Sequence, residues 1–489
     1  MITLLKDQTH AEEKPAFSAT TQIFVGLGLL SLIAYLPYNF LIPQSPSYMA
    51  SPRSLLISQF PFWSAVTQLP IPVPRNGVDV VALLLATVLL CSVCYALALR
   101  AGASALVTKA TVAVVVGFAL VFWLSSVLTL PNFSSDLYIY MSYARVGDVY
   151  QANPYIYSPA DFVGDPFLQF ADWIHTTTPY GPLWTHLSTG WSHIAGENIA
   201  AGLLLFRLLF FGFNLANIVL IWKIAERLNP AYRLSALIFY AWNPIVVLKG
   251  QSHLEPLIVF FVLMGVYVYL RKWEWLAVVM LTFSVLTKFV TAPLLIIYAA
   301  FLWRRKPPSV VATSFLLAGS VVVLFYLPVW EAWGTTWALA VLSISSMTGI
   351  ALTVGLVGLV VWVSRRKLAT MNDMLRSWGI VMLAMSILLT FSHPSYVWYL
   401  IPLVGMASIV DAYRLKALTL GLCCSALLAN TLEGIAAPYT SFLLEDPFVM
   451  LWRVFFWVAP PVLALAWVER ASLARFFSRT RLAPLWRDR

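Results

Sequence analysis

Residues 275–303 read WLAVVMLTFSVLTKFVTAPLLIIYAAFLW and run directly into Arg304-Arg305-Lys306. The run exceeds one simple crossing, since about 20 residues span the roughly 30 Å of hydrocarbon in a bilayer, and Lys288 and Pro293 interrupt it. Two topologies follow. As a single span it would carry Arg304–Lys306 across the membrane and invert every later helix. As a hairpin that returns to its starting side, it leaves those cations where the chain came from. Polar backbone at the tip of such a hairpin must line a cavity or be covered by protein.

The placement of charge favours the hairpin. Spanning runs fall near 22–43, 78–99, 110–130, 199–226, 234–250, 254–270, 309–328, 338–363, 377–392, 396–412, 416–432 and 448–468. With the N-terminus inside and 275–303 re-entrant, 24 of the 31 Lys and Arg residues gather on one face. That is the asymmetry expected of cytoplasmic loops. The fold expected is therefore an all-α polytopic membrane protein, with about 12 full spans plus a re-entrant helical hairpin. Both termini are cytosolic in this reading, no cleavable signal peptide is apparent, and the long outward loop carries short helices. The divisions are a cytosolic stub with three spans (1–130), an outward loop (131–198), core spans with the hairpin (199–303), C-terminal spans (304–468) and a basic tail (469–489).

Composition agrees. The chain has 489 residues, 60% hydrophobic and 11% charged, with mean hydropathy +0.81. Soluble domains sit nearer 45–50% apolar and about 25% charged, so a soluble fold, a disordered chain, a collagen and a disulfide scaffold are all excluded. The net charge of +10 follows from topology and does not call for a nucleic-acid partner. Cys91, Cys94, Cys423 and Cys424 lie inside apolar runs and read as packing residues.

Five segments with chemical potential fall on the outward face in this topology. Asp136 opens the segment Asp136-Leu-Tyr138-Ile-Tyr140, just where a span emerges. It suits the N-cap of a helix, or a general base for a hydroxyl. Thr178-Pro-Tyr180-Gly-Pro-Leu-Trp184 reads as a rigid aromatic platform or as a plain turn. Lys249, His253 and Glu255 lie within seven residues, fitting either phosphate and hydroxyl binding or snorkelling charges. Lys288 at membrane depth suits a lipid phosphate or an ion pair, for example with Glu255. His393 and Tyr396 sit in an aromatic cluster that is either a site or an interfacial belt. Arg145 is the lone cation of the acidic loop 131–198. No His spacing matches a zinc site.

The stretches SSDLYIYMSYARVGDVYQANPY (134–155), TTPYGPLW (177–184) and WNPIVVLKGQSHLEPL (242–257) resemble the polyprenyl-phosphate-mannose-dependent α-mannosyltransferases. These are C-type membrane glycosyltransferases of the kind that build bacterial lipomannan backbones. The resemblance is good over roughly 130–300 and looser over 376–402. It implies a GT-C-like fold and inverting transfer of mannose, on the outer face, from polyprenyl phosphate mannose to a glycan or glycolipid acceptor. Asp136 would be the general base, and Tyr138, Tyr140, Arg145, Tyr180, Lys249, His253, Glu255, Lys288, His393 and Tyr396 would bind substrate. Where the family has His-Asn-Asp, this chain has His253-Leu254-Glu255. No Asp-x-Asp motif lies near Asp136, so no obligatory metal is expected, and no other cofactor is, the lipid-linked sugar being a substrate. The alternatives are another polyprenyl-phosphate sugar, such as glucose or arabinose, and a transporter of lipid or solute.

Overall fold

The computed structural model describes residues 18–44, 49–59, 77–105, 107–131, 134–332, 347–392, 396–431, 455 and 457–470. Among these residues the regular structure is entirely helical. The first helices are α1 (Ala19–Phe40), α2 (Gly77–Ser104) and α3 (Lys109–Val127). Two short helices, α4 (Asp136–Asp148) and α5 (Pro182–Ala195), belong to the loop expected at 131–198. Then come α6 (Ile199–Leu228), α7 (Arg233–Ala241), α8 (Pro244–Lys249), α9 (Glu255–Leu270), α10 (Glu274–Thr287) and α11 (Ala292–Trp303). The later helices are α12 (Pro308–Tyr326), α13 (Met347–Arg365), α14 (Met371–Ser392), α15 (Ile401–Ile409), α16 (Tyr413–Ala429) and a helix over 457–470.

Five of the described helices are long and apolar enough to cross a membrane: Ala19–Phe40, Asp79–Ser104, Lys109–Val127, Ile199–Leu228 and Pro308–Glu331. Several shorter apolar helices, Glu255–Leu270 and Val397–Ile409 among them, accompany them. The chain is a multi-pass membrane protein. Parts of the expected spans, 338–346 and 448–454, lie outside the described residues.

Local chemistry sets the helix boundaries. Ser18, Thr108 and Asn198 cap α1, α3 and α6 by accepting backbone N–H groups of the first turn, which would otherwise lack a partner. The expected span 234–250 is broken at Trp242-Asn243-Pro244. Pro244 has no N–H to donate and disfavours helix at the residue before it. Asn243 then restarts the chain as the cap of α8, accepting from Ile245 N at 3.0 Å. The break is held from outside: Trp242 Nε1 donates to Val115 O at 2.8 Å and Asn243 Nδ2 to Tyr95 Oη at 3.2 Å.

The run 275–303 is two helices. Helix α10 stops at Lys288, which has extended backbone angles, and a short 3-10 turn over Phe289–Thr291 leads into α11. The ends of this unit meet. Lys306 Nζ, after α11, reaches Glu274 Oε1, at the start of α10, at 2.5 Å. Tyr298 Oη donates to the carbonyl of Glu274 at 3.4 Å. The chain therefore leaves and returns at the far end of α9, with Lys288 at the turn.

Candidate active site

Helix α4 follows α3 after the connection 128–135, and its first residue is Asp136. The helix N-cap is Ser135, without a side-chain cap bond, so the capping alternative for Asp136 does not hold. Its carboxylate is 15% exposed and lies on the wall of a cavity of about 570 Å³. Tyr143, His175, Tyr180, Tyr396, Trp398 and Tyr399 also line that cavity. Tyr140, one helical turn on from Asp136, donates its hydroxyl to Asp136 Oδ2 at 3.3 Å. Burial and the nearby Glu255 carboxylate push the Asp136 carboxyl up to about 6, against the opposing pull of Lys288 and Tyr140.

His253 is fully buried behind Asp136. Its Nδ1 faces the carbonyl of Lys249 at 2.8 Å. A carbonyl only accepts, so Nδ1 carries the proton and Nε2 of the neutral ring is an acceptor. Burial keeps this imidazole well below its ordinary range and hence neutral. Ser134 Oγ, 3.0 Å from Nε2, is then the donor to it. The same oxygen accepts from Asp136 N at 3.2 Å. His253 Nε2 and Asp136 Oδ2 are 3.8 Å apart, but with no proton on Nε2 they are linked through Ser134. The imidazole stacks on Trp398, with centroids 4.0 Å apart and planes at 20°.

The loop carrying His253 is held by a polar cluster on α6, inside the bundle. Asn214 Nδ2 donates to Gly250 O at 3.1 Å, and Asn217 Nδ2 to Pro256 O at 2.9 Å. Tyr240 Oη donates to Asn214 Oδ1 at 2.6 Å and accepts from Asn217 at 3.0 Å. Irregular backbone among apolar helices persists only when its polar groups are met this way. Arg207 adds a bond to Ser252 Oγ at 3.0 Å.

Lys288, at the turn between α10 and α11, donates to Glu255 Oε1 at 2.7 Å. Its ammonium lies 4.2 Å over the ring of Tyr399 and 5.8 Å from that of Tyr180. The ion pair named as one reading of Lys288 is thus the arrangement present. Glu255 is fully buried, and its other oxygen, Oε2, has no hydrogen-bond partner among the described residues.

The Pro-Tyr-Gly-Pro segment rests on this turn. Gly181 N donates to Thr287 O at 3.0 Å. A Cβ at Gly181 would sit 2.0 Å from the Leu286 carbonyl oxygen, so only glycine fits. Pro182 then opens α5 at a position where its missing N–H costs nothing. Tyr155, from the Asn-Pro-Tyr segment, braces the other side, donating to Tyr180 O at 2.8 Å and lying 3.0 Å from Thr185 Oγ1.

Asp136, Tyr140, Tyr180, His253, Glu255, Lys288 and Tyr396 are therefore gathered in and around one cavity. Two expected residues are not. Tyr138 is buried on another face of α4, stacked on Phe170. Arg145, expected as a phosphate partner, is instead committed to the fold of the loop. It donates to Asp165 at 2.8 Å and Glu197 at 3.3 Å, and its guanidinium caps the Phe167 ring at 4.2 Å. Lys249 is 1% exposed on α8; like His253 and Glu255 it does not line the cavity itself but lies behind it, its carbonyl bonded to His253 and its charge felt by Asp136. His393 lies outside the described residues. Sequence reasoning did not assign Ser134, Tyr143, Trp398 or Tyr399 to the site. Tyr143 follows Asp136 by seven residues, two helical turns, which is the signal that points to it.

Among the described residues, no group of three or more His, Cys, Asp or Glu is arranged to hold a metal ion.

Comparison with known proteins places these residues in a family. A model described as "Alpha-(1->6)-mannopyranosyltransferase, N-terminal domain" matches residues 52–305, more than half of the chain. A Mycobacterium tuberculosis protein named Alpha-(1->6)-mannopyranosyltransferase Rv1459c is 31% identical over 150 residues, 29% of this chain and 24% of that protein. Alpha-(1->6)-mannopyranosyltransferase A of the same organism is 28% identical over 224 residues, 43% of this chain and 42% of that protein. The Corynebacterium glutamicum protein of that name is 31% identical over 149 residues, 29% of each. Each match thus spans less than half of the curated relative, and no solved structure matches. The matched segment carries Asp136, Tyr180, His253, Glu255 and Lys288, and the chain belongs to the alpha-(1->6)-mannopyranosyltransferase family.

Proposed function

We propose that the protein is an integral membrane mannosyltransferase that moves mannose from polyprenyl phosphate mannose to a hydroxyl of a glycan or glycolipid acceptor. The observation that carries this reading is Asp136, a carboxylate held close to neutral titration on the wall of an aromatic cavity large enough for sugar rings. The named relatives support the sugar. In the reaction, the acceptor oxygen attacks C1 of the donor and its proton passes to Asp136. The bond from C1 to the phosphate oxygen breaks, and the electron pair leaves with polyprenyl phosphate. Attack opposite the phosphate inverts the anomeric centre.

A general base is most effective with a pKa near the working pH, and burial beside Glu255 moves Asp136 in that direction. Lys288 places its ammonium against two rings of the cavity's aromatic wall, Tyr399 and Tyr180. Its attraction for the leaving phosphate grows as negative charge develops there. Tyr180, Tyr396, Trp398 and Tyr399 offer ring faces to the sugars. The fuller architecture belongs to the same proposal: about 12 spans in a GT-C-like fold, 274–306 as a re-entrant hairpin, both termini cytosolic, and the site open to the outer face. The meeting of Lys306 with Glu274 supports the hairpin.

The test incubates purified protein with polyprenyl phosphate mannose, or its glucose and arabinose counterparts, and a mannosidic acceptor, with lipid products read by mass spectrometry. The reading requires a mannosylated product that is lost in Asp136→Asn. Undiminished transfer by Asp136→Asn removes the base. Uptake of donor into proteoliposomes without any covalent product makes the protein a transporter.

A further inference from the structure

A basic pocket lies at the end of α9 remote from Asp136. The sixteen residues of α9 rise about 24 Å at 1.5 Å each, which separates the two regions. Arg304 and Arg305 after α11, Arg365 at the end of α13, and Arg366 and Lys367 after it line a cavity of about 660 Å³. All five side chains are exposed. Three of them are fixed in place. Arg304 Nη1 donates to the carbonyl of Arg366 at 2.6 Å, and Arg305 donates to that of Ala369. The Arg366 guanidinium lies 3.6 Å over the Trp362 ring.

Among the described residues no ion pair engages any of the five; the neighbouring Glu274 is taken by Lys306. Five cations around one cavity repel one another, and an anion relieves that repulsion. A second cavity, of about 760 Å³, shares Arg304. It lies between α11 and α12, and Ala300, Trp303, Val311, Ala312 and Phe315 make it apolar. Trp303 beside it is 69% exposed and Leu316 on α12 is 71% exposed, as expected of a surface that faces lipid chains. A basic pocket joined to an apolar groove through one arginine has the polarity pattern of an amphiphile with a charged head.

We propose that these two cavities form one binding site for an anionic phospholipid. The headgroup phosphate sits among Arg304, Arg365, Arg366 and Lys367, and an acyl chain lies along the α11–α12 groove. Basic pockets between helices near the membrane surface bind anionic headgroups in this way. The occupant ties the returning arm of the 274–306 unit to α13.

The experiment is native mass spectrometry of the full chain in detergent, titrated with phosphatidylglycerol, phosphatidylcholine or inorganic phosphate. Thermal melting verifies that each variant is folded. Phosphatidylglycerol is expected to bind at least about tenfold more tightly than phosphatidylcholine, a difference of the size that several phosphate-directed cations supply. The triple variant Arg365→Gln, Arg366→Gln, Lys367→Gln removes most of that preference, and the single Arg366→Gln removes part of it. Ala312→Trp, which fills the groove, also weakens phosphatidylglycerol binding. The control triple Lys223→Gln, Arg227→Gln, Arg271→Gln removes equal charge from the same end of the bundle but outside the pocket lining, and leaves binding intact. Equal binding of the two lipids, or equal loss in the control, overturns the site. Competition by equimolar inorganic phosphate overturns the lipid assignment, and an unaffected Ala312→Trp overturns the role of the groove.

Discussion

Asp136→Asn is expected to abolish transfer and, above pH 6, to make the folded protein more stable. Burial and Glu255 raise the Asp136 carboxyl from 3.8 to about 6. Each unit is worth about 1.4 kcal/mol of difference between the protonated and ionised forms, so ionised Asp136 costs the fold about 3 kcal/mol. The sign follows from proton uptake. A carboxyl that binds its proton more tightly when folded favours the fold below pH 4, and that contribution is lost as pH rises through about 6. Asparagine has no charge to desolvate, so the variant escapes the loss. The assay is denaturant unfolding in detergent at pH 4 and at pH 8, wild type against variant, with mannosyl transfer measured in parallel. The two proteins should differ little at pH 4, with the variant ahead by about 3 kcal/mol or somewhat less at pH 8, because its amide also alters the bond from Tyr140. A variant no more stable than wild type at pH 8 would refute the account of a strained, desolvated base. A variant that keeps its activity would refute the base itself.

The same electrostatics governs the acid limb of the pH–rate profile, which for wild type should rise through about pH 6. Glu255→Gln removes a repelling charge and moves the limb to lower pH, whereas Tyr140→Phe removes a hydrogen bond to the carboxylate and moves it higher; initial rates across pH read both. Lys288→Met leaves Glu255 without its ion-pair partner in a fully buried position, at a cost of about 3–5 kcal/mol, and, by removing a cation that pulls the Asp136 carboxyl down, moves the limb up. Gly181→Ala drives a methyl against the Leu286 carbonyl, with an expected loss of about 3 kcal/mol or more, seen in unfolding curves and in lower transfer. Arg145→Ala strands Asp165, whose side chain is only 4% exposed, and should cost about 3–5 kcal/mol while the folded fraction keeps its transfer rate per molecule.

The positions of helices along the chain were legible from the sequence, and direction around a helix was legible only in part. Hydropathy and basic residues locate the helices within a few residues, because a span must be apolar and its ends charged. They also locate the interruption at Lys288. What they lack is the azimuth. Tyr138 and Tyr140 look alike in sequence, but two residues turn an α-helix by about 200°, so only Tyr140 shares the face of Asp136. Nine residues amount to about 180° beyond whole turns, which puts Arg145 opposite Asp136 and beside Asp165. Helical period therefore separates the members of α4 correctly. It says nothing of Trp398 and Tyr399, which reach the cavity from a part of the chain more than 250 positions away. Nor does local pattern reveal Ser134, whose role depends on which nitrogen of His253 faces the Lys249 carbonyl.

The backbone contact between Gly181 and the Leu286–Thr287 turn confines where variation can enter. Neither partner has a side chain to trade at that point, so the Tyr180 platform and the Lys288 turn shift together or not at all. In the proposed reaction a change of sugar would then have to be written elsewhere, on the cavity rim formed by Trp173 to Thr177 and by Tyr396 to Tyr399. Those side chains are where an engineer seeking a new donor should begin.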